Sequence, residues 1–133
     1  MSAAGRLLLA LALAPGALGA AAAARAESAA DPGARAFQKC FACHSVNPAE
    51  RGLPGPNLYH IVGRPAAALD DYEYSPAMIA AGRSGKLVWT EATLDRFLAN
   101  PQTFLPGTAM NFFGLRNAEE RKAVIAYLAR KRP

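Results

Sequence analysis

Cys40-Phe41-Ala42-Cys43-His44 decides how this chain is read. Two thiols separated by two residues and followed at once by histidine form the attachment signature of a c-type haem. Each thiol can form a thioether to one haem vinyl group, and the adjacent imidazole then offers a proximal nitrogen to the iron. The second axial position is left to be filled from elsewhere in the chain. Three other readings of these residues are weaker. A thioredoxin-like dithiol calls for a βαβ pattern around it, and none is visible. A structural zinc site needs four ligands at recognisable spacing, whereas the chain holds two Cys and two His, and His60 has no partner at His-x-x-x-His spacing. A disulfide across two intervening residues stays open for an exported protein.

A chain of 133 residues has room for one domain. Its first 26 residues read as a secretory leader. Arg6 precedes the apolar run Leu7 to Leu13, then come Pro15-Gly16 and an alanine-rich stretch ending Ala24-Arg25-Ala26. That is a positive n-region, an h-region and a small-x-small cleavage site, with the cut expected after Ala26. The competing reading is an uncleaved anchor, because Leu7 to Ala24 carries no charge. Pro15, Gly16 and Gly19 interrupt that run, and a spanning helix needs about 20 apolar residues. Either way the haem motif lies outside the cytoplasm. Residues 27–133 form the expected domain, and loss of Arg6 and Arg25 lowers the formal charge from +5 to +3. There is no dense Lys/Arg run, so nucleic acid is not implied.

The expected fold class is all-α. Asp31 suits an N-cap and Pro32 a first helical position, with the helix running to Cys43 and placing Phe37 and Phe41 on one face. Ser45 to Pro65 is a long Pro- and Gly-rich loop, of the kind that wraps something. A short helix is expected over Pro76 to Ala81, closed by Gly82 at C′. Thr90 caps a helix to about Ala99, and Asn100-Pro101 stops it. Gln102 to Leu115 is a second irregular segment, rich in apolar residues that need a buried object to pack on. The last helix starts at a capping-box-like Asn117 and Glu120 and carries Val124, Tyr127 and Leu128 on one face.

Leu105-Pro106-Gly107-Thr108-Ala109-Met110 is the second signal. Methionine sulfur is a soft iron ligand, and His/Met ligation raises the reduction potential of a haem. Most methionines are core residues, but Pro106 and Gly107 stiffen a loop around a side chain that must point inward. Met110 is therefore the expected sixth ligand, with His60 the rival.

From Gly33 to the C-terminus the chain resembles class I cytochromes c, in the branch of mitochondrial cytochrome c and bacterial cytochrome c2. The resemblance rests on CFACH, GPNLYHIVGR, YSPAMIAAG, LVWTEATLDRFLANP, FLPGTAMNFFG and EERKAVIAYL, in that order. It implies a small cytochrome c fold, helices and two long loops around one haem c bound through two thioethers. It also implies that the Pro56 carbonyl receives the other nitrogen of His44, that Arg64, Tyr74 and Trp89 bind the haem propionates, and that Thr108 is a further donor near the haem. Gly33, Phe37 and Tyr127 match the crossing of the first and last helices, and Phe112 the aromatic at the solvent-facing edge.

Three departures stand out. Phe97 replaces a tyrosine that bonds to the methionine sulfur, Met78 replaces a polar residue near a buried water, and Ala109 replaces a lysine of the docking face. The first two imply a drier pocket and a lower potential. Lys39 keeps its place before Cys40, but the whole chain has four lysines, so steering toward an acidic partner is expected to be weak.

The function implied is a periplasmic monohaem electron carrier, the simplest reading of a chain with no visible nucleophile, general base or substrate pocket; it is expected to be monomeric and not an enzyme. Redox proteins are the implied partners: a bc1-type complex, an oxidase, a photosynthetic reaction centre or a dehydrogenase. Two alternatives stay open, a haem enzyme or ligand-binding sensor with a labile sixth ligand, and a membrane-tethered carrier.

Overall fold

A computed structural model describes residues 31–133, so the leader expected over residues 1–26 lies outside the described residues. Five helices form within them: α1 (Pro32–Phe37), α2 (Pro76–Arg83), α3 (Glu91–Ala99), α4 (Pro101–Phe104) and α5 (Ala118–Ala129). Each begins at a side-chain cap that the sequence supplies. Asp31, Ser75, Thr90, Asn100 and Asn117 each accept a hydrogen bond from a first-turn N–H, and proline opens α1, α2 and α4. Among the described residues there is no strand, only one isolated antiparallel bridge between Pro65 and Val88.

Three local expectations are corrected. The first helix does not run to Cys43 but stops at Phe37. Beyond it the N–H groups of Gln38, Lys39 and Cys40 bond three residues back, to Arg35, Ala36 and Phe37, and this tightening changes the pitch. Phe37 and Phe41 differ in burial, at 4% and 63% exposure, although the Phe41 N–H still bonds to the Phe37 carbonyl at 3.1 Å. The second helix does not close at Gly82 but continues to Arg83. Gly85, at φ +66°, takes the left-handed position after it. Gly82 meets a different need, since a Cβ there would collide with the Ala66 carbonyl. Finally, the segment after Asn100 is not irregular throughout. Asn100 accepts from the Thr103 N–H at 3.0 Å, and that cap lets α4 form before the chain turns irregular at Leu105.

The frame is the crossing of α1 and α5. Gly33 sits at the crossing because a Cβ would collide with the Ala123 carbonyl and stand 2.5 Å from the Tyr127 Cβ. The rings of Phe37 and Tyr127 meet at 5.4 Å, and Arg130 pairs with Asp31 across the ends of the two helices. On its inner face α5 buries Val124, Ile125 and Leu128, each worth about 1.5–3 kcal/mol. Glu120, expected to act in the cap of α5, pairs with Lys39 at 2.5 Å and so ties that helix to the residue preceding Cys40. Elsewhere a short backbone ladder joins the first long loop to the approach of α3: Gly63 N–H to the Trp89 carbonyl, Trp89 N–H to Arg64 and Ala66 N–H to Leu87.

Candidate haem site

Helices and loops together enclose a cavity of about 410 Å³ whose inner wall includes Ile61, Leu94, Leu98, Val124 and Leu128. Eight of the nine residues singled out from the sequence line it: Cys40, Cys43, His44, Pro56, Tyr74, Trp89, Thr108 and Met110. Arg64 does not. Its guanidinium donates to the carbonyls of Asn57 at 2.8 Å and Tyr59 at 3.3 Å.

The turn at Cys40 sets the imidazole. The N–H of His44 bonds to the Cys40 carbonyl at 2.9 Å, which turns the buried ring inward. Nδ1 lies 2.7 Å from the Pro56 carbonyl. A carbonyl can only accept, so Nδ1 carries the proton and Nε2 the lone pair. Burial lowers the pKa of His44, with the Pro56 bond acting the other way. A neutral imidazole held in one tautomer is the form that ligates metal.

Gly55 completes this arrangement, and sequence reading gave it no role. A Cβ there would clash with Cε1 and stand 2.7 Å from Nδ1. The signal was its place between Pro54 and Pro56, which read only as loop.

The thiols fit attachment better than their rivals. Cys40 and Cys43 are both free, which sets aside the disulfide. Burial, with the Glu120 carboxylate next, pushes the Cys40 thiol up to about 11. A thiol held protonated lacks the depressed pKa of a redox-active dithiol. Among the described residues no group of three or more His, Cys, Asp or Glu could hold a metal ion, which sets aside zinc.

Met110 arrives on a defined turn. Leu105 to Thr108 close with a Thr108 N–H to Leu105 carbonyl bond of 3.0 Å, with proline second and Gly107 third at φ +85°. This is a type II turn, which wants both residues in those places. The buried Thr108 hydroxyl accepts from the Met110 N–H at 3.4 Å. Gln102, expected only as the start of an irregular segment, donates to the carbonyls of Thr108 and Met110. His60, the rival ligand, is exposed and does not line the cavity. Its backbone sits at φ +56°, and its N–H bonds to the Lys131 carbonyl.

The remaining wall is aromatic. Trp89 is buried, with its ring 5.0 Å from Phe97. Tyr74 packs edge-on against Tyr72 at 4.8 Å, and burial raises the pKa of its phenol. Phe97 and Met78, the two departures from the family pattern, are both buried in this wall. Phe112 also lines the cavity, whereas its neighbour Phe113 is 95% exposed.

The donors and the apolar walls fit a haem: two thiols, one oriented imidazole, one thioether and a cavity with few polar atoms. Comparison with known proteins agrees. Residues 30–131 match the cytochrome c family, and the chain belongs to it. Among its relatives, cytochrome c2 of Afifella marina is 43% identical over 72% of this chain and 77% of its own. Cytochrome c2 of Agrobacterium tumefaciens is 43% identical over 72% of this chain and 86% of its own. In structure the chain is similar to cytochrome c2 from Rhodospirillum centenum, with TM-score 0.71 and 35% identity, covering 77% of this chain and 99% of that one. The fold is the small all-α cytochrome c fold, the cofactor is covalently bound haem c, and the protein is a monohaem electron carrier, not an enzyme.

Proposed function

We propose that this protein is a periplasmic carrier with His44 and Met110 as the axial ligands of its haem, exported by a leader cut after Ala26. Bound through Cys40, Cys43, His44 and Met110, a haem would supply reversible one-electron chemistry between a redox-protein donor and an acceptor. The residues of the chain do the rest. Cys40 and Cys43 fix the group covalently, and the Pro56 carbonyl holds His44 in its ligating tautomer. The type II turn under Thr108 presents Met110. With both ligands held by local backbone bonds, little has to rearrange when an electron moves.

Tyr74 and Trp89 are proposed to meet the propionates, because buried carboxylates are costly unless hydrogen-bonded. Arg64 serves the same end through charge, and through its bonds to Asn57 and Tyr59 in the loop that follows Pro56. Partners of the stated classes, a bc1-type complex, an oxidase, a reaction centre or a dehydrogenase, fit a carrier that docks briefly through a small interface. Among the described residues no helix is long and apolar enough to cross a membrane.

The observation that carries this reading is the convergence of Cys40, Cys43, carbonyl-bonded His44 and Met110 on one cavity. Potentiometric titration of the haem-loaded protein should follow a one-electron curve, and the ferrous form should resist carbon monoxide at neutral pH. Tight carbon monoxide binding would instead mark an open or labile sixth position. N-terminal sequencing of periplasmic protein should begin at Glu27.

A further inference from the structure

We infer that Gln102 is a positioning residue for the axial methionine, an amide clamp that holds the Thr108–Met110 backbone against α4. The inference rests on Met110 being the sixth ligand. After the type II turn, the chain from Thr108 to Met110 has no helix or sheet to fix it. One nitrogen of Gln102, Nε2, reaches the Thr108 carbonyl at 3.1 Å and the Met110 carbonyl at 3.3 Å. These acceptors flank Ala109, so one side chain fixes the backbone on both sides of that step. Both are carbonyls, and the amide must therefore present its nitrogen, the only end able to donate.

The base of the clamp is rigid. Gln102 is the second residue of α4, between buried Pro101 and Thr103, whose N–H is capped by Asn100. The loop is also held by the Thr108 N–H to Leu105 carbonyl bond of 3.0 Å, the 3.4 Å contact from the Met110 N–H to Thr108 Oγ1 and the Phe112 N–H to Met110 carbonyl bond of 3.0 Å. An amide carries no charge in the ordinary pH range, so this clamp does not loosen with pH.

A glutamine on the surface often makes incidental hydrogen bonds, and the two readings predict different outcomes. The test uses ferric haem-loaded wild type, Gln102→Ala, Gln102→Glu and Gln102→Arg. For each, the dissociation constant for imidazole is measured, together with the temperature at which the methionine-to-iron near-infrared band disappears and the global unfolding midpoint. Gln102→Ala should bind imidazole roughly tenfold more tightly, because two hydrogen bonds, one part-buried and one exposed, no longer oppose displacement of the sulfur. Its band should vanish at lower temperature while the global midpoint stays near that of wild type. Gln102→Glu, which cannot donate when ionised, should behave like Gln102→Ala. Gln102→Arg, which can, should restore the wild-type values.

Imidazole affinities within twofold of wild type in both Gln102→Ala and Gln102→Glu would overturn the clamp. So would a fall in the global midpoint that matches the fall in the band. If wild type itself lacks the band, the ligand assignment fails first and the clamp falls with it.

Discussion

Gly55 lies flat against the imidazole of His44, so close that a β-carbon would stand 2.7 Å from Nδ1 and 2.9 Å from Nε2. The ring is thereby held between a backbone with no side chain and the Pro56 carbonyl one residue on. Gly55→Ala must push the ring away from that carbonyl. Overpacking of this kind costs about 1–3 kcal/mol. Denaturant unfolding of the haem-loaded protein should show that loss, with a lower yield of covalent haem in the same preparations.

Phe97 is buried in the cavity wall at 6% exposure, with Trp89 and Phe104 against its ring. Phe97→Tyr adds a hydroxyl that, once buried, needs an acceptor, and the Met110 sulfur is the acceptor the account predicts. Donation to the sulfur withdraws electron density from the ligand and favours ferrous iron. The potential should rise by about 20–60 mV, the equivalent of one net hydrogen bond. An unchanged potential would mean that the sulfur does not face this position.

His60 holds a left-handed backbone, φ +56°, on an exposed loop. That conformation costs a non-glycine residue about 1–2 kcal/mol, and glycine gives back part of the gain through its looser unfolded chain. His60→Gly should therefore stabilise the protein by roughly 0.5–1 kcal/mol. The same variant should leave the ferric spectrum unchanged, which removes His60 as a ligand by a route independent of Met110.

Arg121 joins three parts of the fold. Its Nε donates to Asp95 of α3 at 2.8 Å, and Nη1 to the carbonyls of Leu115 at 2.8 Å and Arg116 at 3.1 Å. The side chain is 13% exposed, so water replaces those donors poorly. Arg121→Ala should cost about 2–3 kcal/mol in denaturant unfolding. Arg121→Lys should recover little, since an ammonium cannot span the same fork of acceptors.

Asp31 should leave a pH signature. Slight burial raises its pKa, but the N–H groups of Gly33 and Ala34 and the Arg130 guanidinium outweigh that and hold it below the ordinary carboxylate value of 3.8. A depressed folded pKa contributes stability that is fully present above the unfolded pKa and lost as pH falls through the folded one. Asn caps helices as Asp does, so Asp31→Asn isolates the charge. Wild type should be the more stable above the ordinary carboxylate range, and the difference should shrink as pH falls below 3.8.

Much of the site was legible because it is written in local chemistry. The Cys40 to His44 spacing, the proline and glycine before Thr108, and the Ser, Thr and Asn caps each act within a few residues. What was not legible depends on distant partners or on small changes of pitch. Phe41 shares the helical spacing of Phe37 and bonds back to its carbonyl, yet its ring is left in solvent. Gly82 and Gly85 could both end α2, and only the Ala66 carbonyl pressed against Gly82 separates their roles. Gly55 and Gln102 act through His44 and the Met110 loop, contacts that no spacing rule announces. Arg64 matched a propionate-binding position, but no spacing rule announced that its guanidinium also donates to the Asn57 and Tyr59 carbonyls.

The central claim is that Met110 closes the coordination begun by His44, and the most direct measurement is the near-infrared absorption of the ferric haem-loaded protein, wild type against Met110→Ala. Wild type should show a weak methionine-to-iron band that is lost in the variant, with the variant turning high-spin or taking up added imidazole. A wild-type spectrum without that band, high-spin or bis-histidine in character, would contradict it.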